Sequence, residues 1–370
     1  MKFREYTMES VLDSIIDYRG KTPKKSINGI PTLSAKSVKN NHIDYSECYF
    51  ISESEYKKFM VRGFPQKGDV LLTTEAPMGL VARLDRNGVA VAQRLLTIRG
   101  KKDVLDNGYL LYLLQSPYGQ SLLKAKETGT TVTGIKQSEF RKIVLRIPDL
   151  ETQKRIAKVL SALDDKIELN SQINKNLEEQ ANTLFDNMFP NISQGNKTVG
   201  DYIVPKRGKS LLSKDAVLGD VPVVAGGLEP STYHNESNTT APVITISASG
   251  ANAGYVSLWH IPVWSSDSSY IDSKMSDNVY FWYVLLKKRQ KEIYDSQTGS
   301  AQPHIYPQHI AELPLSELSL ESISLFNIRV TFLFAQIANN KAENAILHKT
   351  RDTLLPKLMS GEIDVDNVEI

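Results

Sequence analysis

Residues 128–188 align on residues 298–358 without a gap, at a constant offset of 170. Thr128-Gly129 matches Thr298-Gly299, Ile135 matches Ile305, and Leu150-Glu151 matches Leu320-Glu321. Further on, Leu163, Ile167, Asn170, Asn174, Leu177, Thr183 and Leu184 recur as Leu333, Ile337, Asn340, Asn344, Leu347, Thr353 and Leu354. That is 13 identities in 61 positions, where composition alone gives about four. Upstream, Arg19-Gly20-Lys21-Thr22 echoes Arg207-Gly208-Lys209-Ser210, each leading into a turn-rich stretch that ends near Pro31 or Pro222. The chain therefore reads as A–B–A′–B′, a duplicated unit of a globular part and a helical part.

Hydrophobic periodicity identifies the helical parts. Ile156, Leu160, Leu163, Ile167, Asn170, Asn174, Leu177, Ala181, Leu184 and Met188 fall at alternating steps of four and three, the 3.5-residue stripe of a coiled coil. Phe326, Val330, Leu333, Ile337, Asn340, Asn344, Leu347, Arg351, Leu354 and Leu358 repeat the phase. Asn in an apolar seam costs stability but selects one register, because an unpaired buried amide is expensive. The pairs Asn170/Asn174 and Asn340/Asn344 lie near the middle of their helices, so antiparallel pairing brings the polar layers opposite each other. At about 1.5 Å per residue each helix is a rod of roughly 50 Å, and a dumbbell with pseudo-two-fold symmetry is expected. Pro356 should end or kink the second helix.

The globular parts, 1–149 and 190–320, read as mixed α/β (α+β). Val70-Leu71-Leu72 and Val243-Ile244-Thr245-Ile246 are strand-like, each followed by a glycine-containing loop (Pro77-Met78-Gly79; Gly250 to Gly254). Tyr109 to Leu114 and Tyr280 to Leu286 read as apolar helices in equivalent places, and Ser265-Ser266-Asp267-Ser268-Ser269 as a surface loop. The expected domains are therefore 1–149, a helix at 150–189, 190–320, and a helix with tail at 321–370.

Charge divides unevenly along this plan. Residues 1–150 carry 24 Lys and Arg against 16 Asp and Glu, while 190–320 carry 10 against 12. A basic first domain suits a phosphate backbone, where Lys and Arg displace condensed counterions; a second domain doing the same must use local patches. The first twenty residues mix charges among apolar positions, no apolar run approaches the roughly 18 residues that span a bilayer, and Cys48 is the only cysteine. The cytoplasm is the compartment expected.

The motifs of catalysis fail one by one. Gly20-Lys21-Thr22 and Gly208-Lys209-Ser210 imitate the end of a phosphate-binding loop, but Ile15 and Ile203 stand where its first glycine is needed. There is no Asn-Pro-Pro-aromatic segment to hold a flipped base and no Gly-x-Gly-x-x-Gly. Asp69 and Glu75 suggest a nuclease pair, but Ala76 and Pro77 follow without a suitably placed lysine; surface carboxylates near a turn are the better reading. The six histidines, His42, His234, His260, His304, His309 and His348, show no metal spacing. No catalytic residue, metal or cofactor is expected on this chain.

Thr128-Gly129-Thr130-Thr131 with Ile135, then Ile147-Pro148-Asp149-Leu150-Glu151-Thr152-Gln153-Lys154-Arg155-Ile156-Ala157, then the coil, resemble the specificity subunit of type I restriction-modification systems. The closing Leu354-Leu355-Pro356-Lys357-Leu358-Met359-Ser360-Gly361-Glu362-Ile363 is similar to that family's last segment. Pro148-Asp149-Leu150-Glu151-Thr152-Gln153 departs from the family's usual Pro-Pro-Leu and Glu-Gln, and Leu313-Pro314-Leu315-Ser316-Glu317-Leu318 departs further. The resemblance implies two target-recognition domains, each reading half of an interrupted DNA site, with helices that space them and dock methyltransferase subunits. S-adenosylmethionine, ATP and Mg would belong to partner subunits, and translocase/nuclease subunits are possible partners. The Thr-Gly turn then points to Thr130, Thr131, Lys136 and Gln137, and in the second copy to Ser300, Gln302, His304 and Tyr306, as DNA contacts. Arg83, Arg86, Gln93 and Arg94, with Arg207, Lys209, Ser249 and Asn252, complete the candidates; their side chains suit phosphate and base-edge hydrogen bonds. Two other readings stay open: a coiled-coil scaffold without specific DNA binding, and a self-contained DNA methyltransferase.

Overall fold

The computed structural model describes residues 2–18, 20–129, 133–299 and 302–368. The chain divides into two units, 1–168 with 344–370, and 169–343. In the first unit the strands β1 (Leu12–Asp17), β2 (Ile30–Leu33), β3 (Tyr49–Ile51), β4 (Val70–Thr73), β5 (Val81–Arg83), β6 (Ala90–Val91) and β7 (Leu95–Gly100) build two sheets. Their orders are β1-β7-β4-β5 and β3-β2-β6. The run Val70-Leu71-Leu72 is apolar throughout because both faces of β4 are covered. Val70 and Leu72 join Leu96, Ile98 and Tyr109 in one core, while Leu71 joins Ile16, Leu33 and Val91 in another. The helix α1 (Asn107–Gln115) is capped by the Asp106 carboxylate, which accepts from the Tyr109 N–H, and closes the first core.

The second unit repeats this plan with β8 (Lys206–Arg207), β9 (Val221–Val224), β10 (Thr232–His234), β11 (Val243–Ser247), β12 (Val256–Trp259), β13 (Trp264–Ser265) and β14 (Ser268–Asp272). The sheet orders are β8-β14-β11-β12 and β10-β9-β13, the same neighbours as in the first unit. Here the serine-rich tract is no surface loop. Ser265, Ser266, Ser268 and Ser269 are all buried, and the tract supplies the ends of β13 and β14. Three of the four hydroxyls find partners: Ser265 Oγ lies 2.8 Å from Ser268 Oγ, Ser268 Oγ donates to Val224 O at 3.1 Å, and Ser266 Oγ accepts from the Leu211 N–H, while Ser269 Oγ is buried without one.

Two long helices follow the predicted stripes, α2 (Leu150–Met188) and α4 (Leu320–Ser360), with α3 (Val279–Lys288) between them. Both begin on an oxygen cap at the same place in the repeat. Asp149 accepts from the Thr152 N–H at 3.0 Å, and Ser319 from the Ser322 N–H at 3.3 Å. Buried Gln153 adds a brace in the first copy, donating to Val104 O and Pro148 O and accepting from the Asp106 N–H. Within the first unit, Asp164 meets Arg351 at 2.7 Å and Ile167 O accepts from Asn344 Nδ2 at 3.3 Å. Within the second, Asn170 Nδ2 donates to Glu343 Oε2, Asn340 Nδ2 donates to Asn174 Oδ1 at 2.8 Å, and Phe185 packs edge-on against Phe326. Rising numbers meet falling ones throughout, so the pairing is antiparallel.

Three expectations need correction. Pro356 does not end α4, which runs on to Ser360 and stops before left-handed Gly361; buried Leu355, Leu358 and Met359 hold the final turn in the first unit's core. Asp69 is not a surface carboxylate: it is buried, takes Arg99 at 2.7 and 2.8 Å through both oxygens, and accepts from the Gln66 N–H. Finally, α4 is long and apolar enough by composition to cross a membrane, with a window of mean hydropathy 1.2. Scattered charges hide this from a search for unbroken apolar runs. The helix is apolar on two sides. Phe326, Val330, Phe334 and Ile337 enter the second unit's core, while Leu325, Ile328 and Phe332 are exposed on its outer side.

Candidate nucleic-acid interface

In each unit the chain leaves the inner strand of the four-stranded sheet and is gripped by the same backbone bonds. In the first unit, Thr74 N–H donates to Arg94 O at 3.0 Å, and Thr74 O accepts from the Ile135 N–H at 3.0 Å. In the second, Ala248 N–H donates to Asp267 O at 3.1 Å, and Ala248 O accepts from the Ile305 N–H at 2.9 Å. The loop after each strand closes through Gly79 N–H to Thr73 O and Gly254 N–H to Ser247 O. A glutamine side chain then ties each loop down: Gln120 Nε2 to Gly79 O at 2.9 Å, Gln290 Nε2 to Gly254 O at 2.7 Å. Three chain segments thus converge at one end of each sheet: the strand-exit loop, the residue before the central strand, and the hairpin after the Thr-Gly turn.

Close approach explains the glycine at 134. A Cβ there would lie 2.5 Å from Thr74 O, so in this unit glycine lets the hairpin Glu127–Thr128/Gly134–Ile135 come this close to the strand exit, whereas His304 stands at the equivalent bridge of the second unit. Local strain marks the same place. Arg94 has φ 69° and Ala76 φ 49°, left-handed conformations that cost non-glycine residues roughly 1–2 kcal/mol. At the position equivalent to Ala76 the second unit has Gly250, φ 81°.

The first unit brings Gln93, Arg94, Lys136 and Gln137 to this cluster. Gln93, Arg94 and Lys136 are exposed, and Arg94 Nε pairs with Glu75 Oε2 at 3.5 Å. Arg83 and Arg86 go elsewhere. Arg83 pairs in register with Val70, the opposite end of β4 from the loop, and Arg86 bonds Asp85 and lies 4.0 Å over the Tyr45 ring. Burial opposes the Asp85 charge, yet hydrogen bonds from Arg86 and Tyr45 hold its carboxyl below the usual range. In the second unit Ser249, Asn252, Gln302, His304 and Tyr306 gather. Ser249 and Thr298 both bridge to His304, Gly250 N–H donates to Pro303 O, and the His304 and Tyr306 rings stack. Arg207 joins them by pairing with Asp267 at 2.6 Å, and Asp267 also accepts from Ser249 Oγ. Lys209 N–H is tied to Ser265 O at 2.9 Å, with its side chain exposed. Thr130, Thr131 and Ser300 lie outside the described residues.

Asp267, Gln120 and Gln290 were not among the residues expected from sequence. The two glutamines sit at the repeat's own offset of 170, so extending the alignment eight residues upstream finds them. Asp267 offers no such signal, because its counterpart is an arginine. No group of three His, Cys, Asp or Glu side chains that could hold a metal occurs among the described residues.

A family model for the type I restriction modification DNA specificity domain matches residues 5–179. The MjaIX type I restriction enzyme specificity subunit of Methanocaldococcus jannaschii is 28% identical, over 94% of this chain and 91% of its own length. The HindI specificity subunit of Haemophilus influenzae is 24% identical, over 80% and 87%. Among solved structures, the S subunit of a type I restriction-modification system from M. genitalium superposes with a TM-score of 0.64 at 20% identity, covering 97% of this chain and 96% of that one, which shows the shared fold. The domain match and relatives aligned over nearly their whole length agree: residues 5–179 carry the type I restriction modification DNA specificity domain, and the chain as a whole is similar to specificity subunits of type I restriction-modification systems.

Proposed function

We propose that this chain reads a two-part DNA sequence with a fixed-length spacer and brings adenine methyltransferase subunits to it. The observation that carries the proposal is the duplicated cluster: each unit holds a strand-exit loop, a pre-strand turn and a hairpin in place with the same backbone bonds. Two reading surfaces in one chain suit two half-sites, with residues 1–149 and 190–320 as the recognition domains and 150–189 and 321–370 as the helical spacer. DNA contacts are assigned to Gln93, Arg94, Lys136 and Gln137 in one domain, and to Arg207, Lys209, Ser249, Asn252, Gln302, His304 and Tyr306 in the other.

The exposed stripe Leu325, Ile328 and Phe332 on α4 supports a partner seated on the helices, because exposed apolar patches mark interaction sites. Two methyltransferase subunits are the partners proposed, carrying S-adenosylmethionine, with ATP- and Mg-dependent translocase/nuclease subunits joining them. Methylome sequencing of cells expressing the chain with its neighbouring methyltransferase, against cells lacking it, tests the proposal. A new methylated-adenine motif in two parts with a constant gap is expected. A soluble complex that adds no motif would make the chain a scaffold instead.

A further inference from the structure

The two clusters solve one problem with opposite charges. The residue just before the central strand is Arg94 in the first unit and Asp267 in the second; both accept the equivalent backbone bond, from Thr74 and from Ala248. The end of the neighbouring strand is reversed as well. Asp17 pairs in register with Leu96, and Arg207 with Ser269, each the second residue of its central strand. Unit 1 therefore carries Asp then Arg at these two positions, and unit 2 carries Arg then Asp. In both, a guanidinium ends at the same corner of the sheet beside a carboxylate, Glu75 for Arg94 and Asp267 for Arg207.

In each pair the arginine is the more exposed partner, 53% against 18% for Arg94 and Glu75, and 42% against 37% for Arg207 and Asp267. Each carboxylate holds its guanidinium through a single nitrogen, Nε of Arg94 at 3.5 Å and one terminal nitrogen of Arg207 at 2.6 Å, which restrains the side chain and leaves its other N–H groups for a ligand. That is the geometry for the two acceptors on a guanine edge, O6 and N7. A mobile lysine would serve a phosphate as well; a planar guanidinium restrained by a carboxylate is better suited to a base. Arg94 is also held in a left-handed backbone at an exposed turn where glycine would be unstrained, an arrangement that folding alone does not favour.

Resting on the reading of the chain as a two-part DNA recognition subunit, we infer that Arg94 and Arg207 each read one guanine, Arg94 in one half-site and Arg207 in the other. Because the two arginines reach their corners from different strands, their guanines need not stand at matching positions in the two halves of the target. Asp267 is a positioning residue that holds Arg207.

The test is methylome sequencing of cells expressing the chain with its methyltransferase, comparing wild type with Arg94→Gly, Arg207→Gln and Asp267→Asn. Arg94→Gly removes the guanidinium and suits the backbone, so folding is retained; a thermal melt of each purified complex checks this. Arg94→Gly should relax one G·C position in one half of the motif, cutting discrimination there roughly 10- to 100-fold, with the other half unchanged. Arg207→Gln should do the same in the opposite half, and Asp267→Asn should relax the position that Arg207→Gln relaxes. An even loss of methylation with the motif intact would make the arginines phosphate contacts and overturn the assignment. So would relaxation at A·T pairs, or at a new position in Asp267→Asn. If wild type itself yields no two-part motif, the reading of the chain fails first, which separates the two failures.

Discussion

Asn174 and Asn340 offer a measurement of what a polar layer contributes to an apolar seam. Both are buried, 9% and 5% exposed, and Asn340 Nδ2 donates to Asn174 Oδ1 at 2.8 Å. Replacing one by leucine strands its partner's amide away from water, which costs about 1–3 kcal/mol, whereas replacing both removes the demand and is near neutral or stabilising. Asn340 also accepts from Gln336 Nε2 at 2.8 Å, so Asn340→Leu should cost at least as much as Asn174→Leu. The half-buried Gln336 can turn toward water, which keeps that increment to about 1 kcal/mol or less. Urea denaturation of wild type, the two single variants and the double variant gives a double-mutant cycle. A coupling of at least about 1.5 kcal/mol is expected, with the double variant as stable as wild type or more so. Single losses below about 0.5 kcal/mol, or losses that simply add, would refute the argument that the amides depend on each other. The register should suffer even where stability gains, because an all-apolar seam no longer penalises a slipped pairing.

Four further outcomes follow from particular residues. Burial, with Lys341 nearby, pushes the His260 imidazole down to about 4 from its ordinary 6.5; the neutral ring is favoured in the fold, so its share of stability is full above pH 6.5 and drains as pH falls toward 4. The slope is at most about 1.4 kcal/mol per pH unit, and a His260→Gln variant should lose that slope in pH-dependent denaturation; an identical slope would clear His260 of the effect. Pro356→Ala should raise the stability of the first unit by about 1–3 kcal/mol, because it restores an N–H inside α4; a lowered melting temperature would contradict this. Gly134→Ala drives a Cβ to 2.5 Å from Thr74 O and should displace the hairpin, costing about 1–3 kcal/mol and weakening DNA binding more than it weakens folding. Lys136→Ala should weaken binding to all sequences alike and reduce the salt slope by about one; an unchanged slope would remove Lys136 from the interface.

What the amino-acid order determined by itself was whatever repeats or alternates. The constant offset between Thr128-Gly129 and Thr298-Gly299, and the matching Asn pairs, made the duplication and both long helices legible, because a helix writes its buried face at regular steps. Strands β4 and β11 and helices α1 and α3 were legible for the same reason, as short apolar runs between glycine-bearing turns. Tertiary structure decided what depends on partners distant in sequence. The serine tract at 265–269 looks like loop until its hydroxyls meet Val224 O and the Leu211 N–H. Asp69 looks exposed until Arg99, 30 residues away, neutralises it. The candidate interface shows the limit most plainly. Arg94 and Arg207 are unrelated along the chain, and Asp267 stands where the first copy has an arginine, yet the strand registers bring both arginines to the same corner of their sheets. A local pattern records which face of an element is buried; it carries no record of which other element supplies the opposite charge, and only the paired backbone decides that.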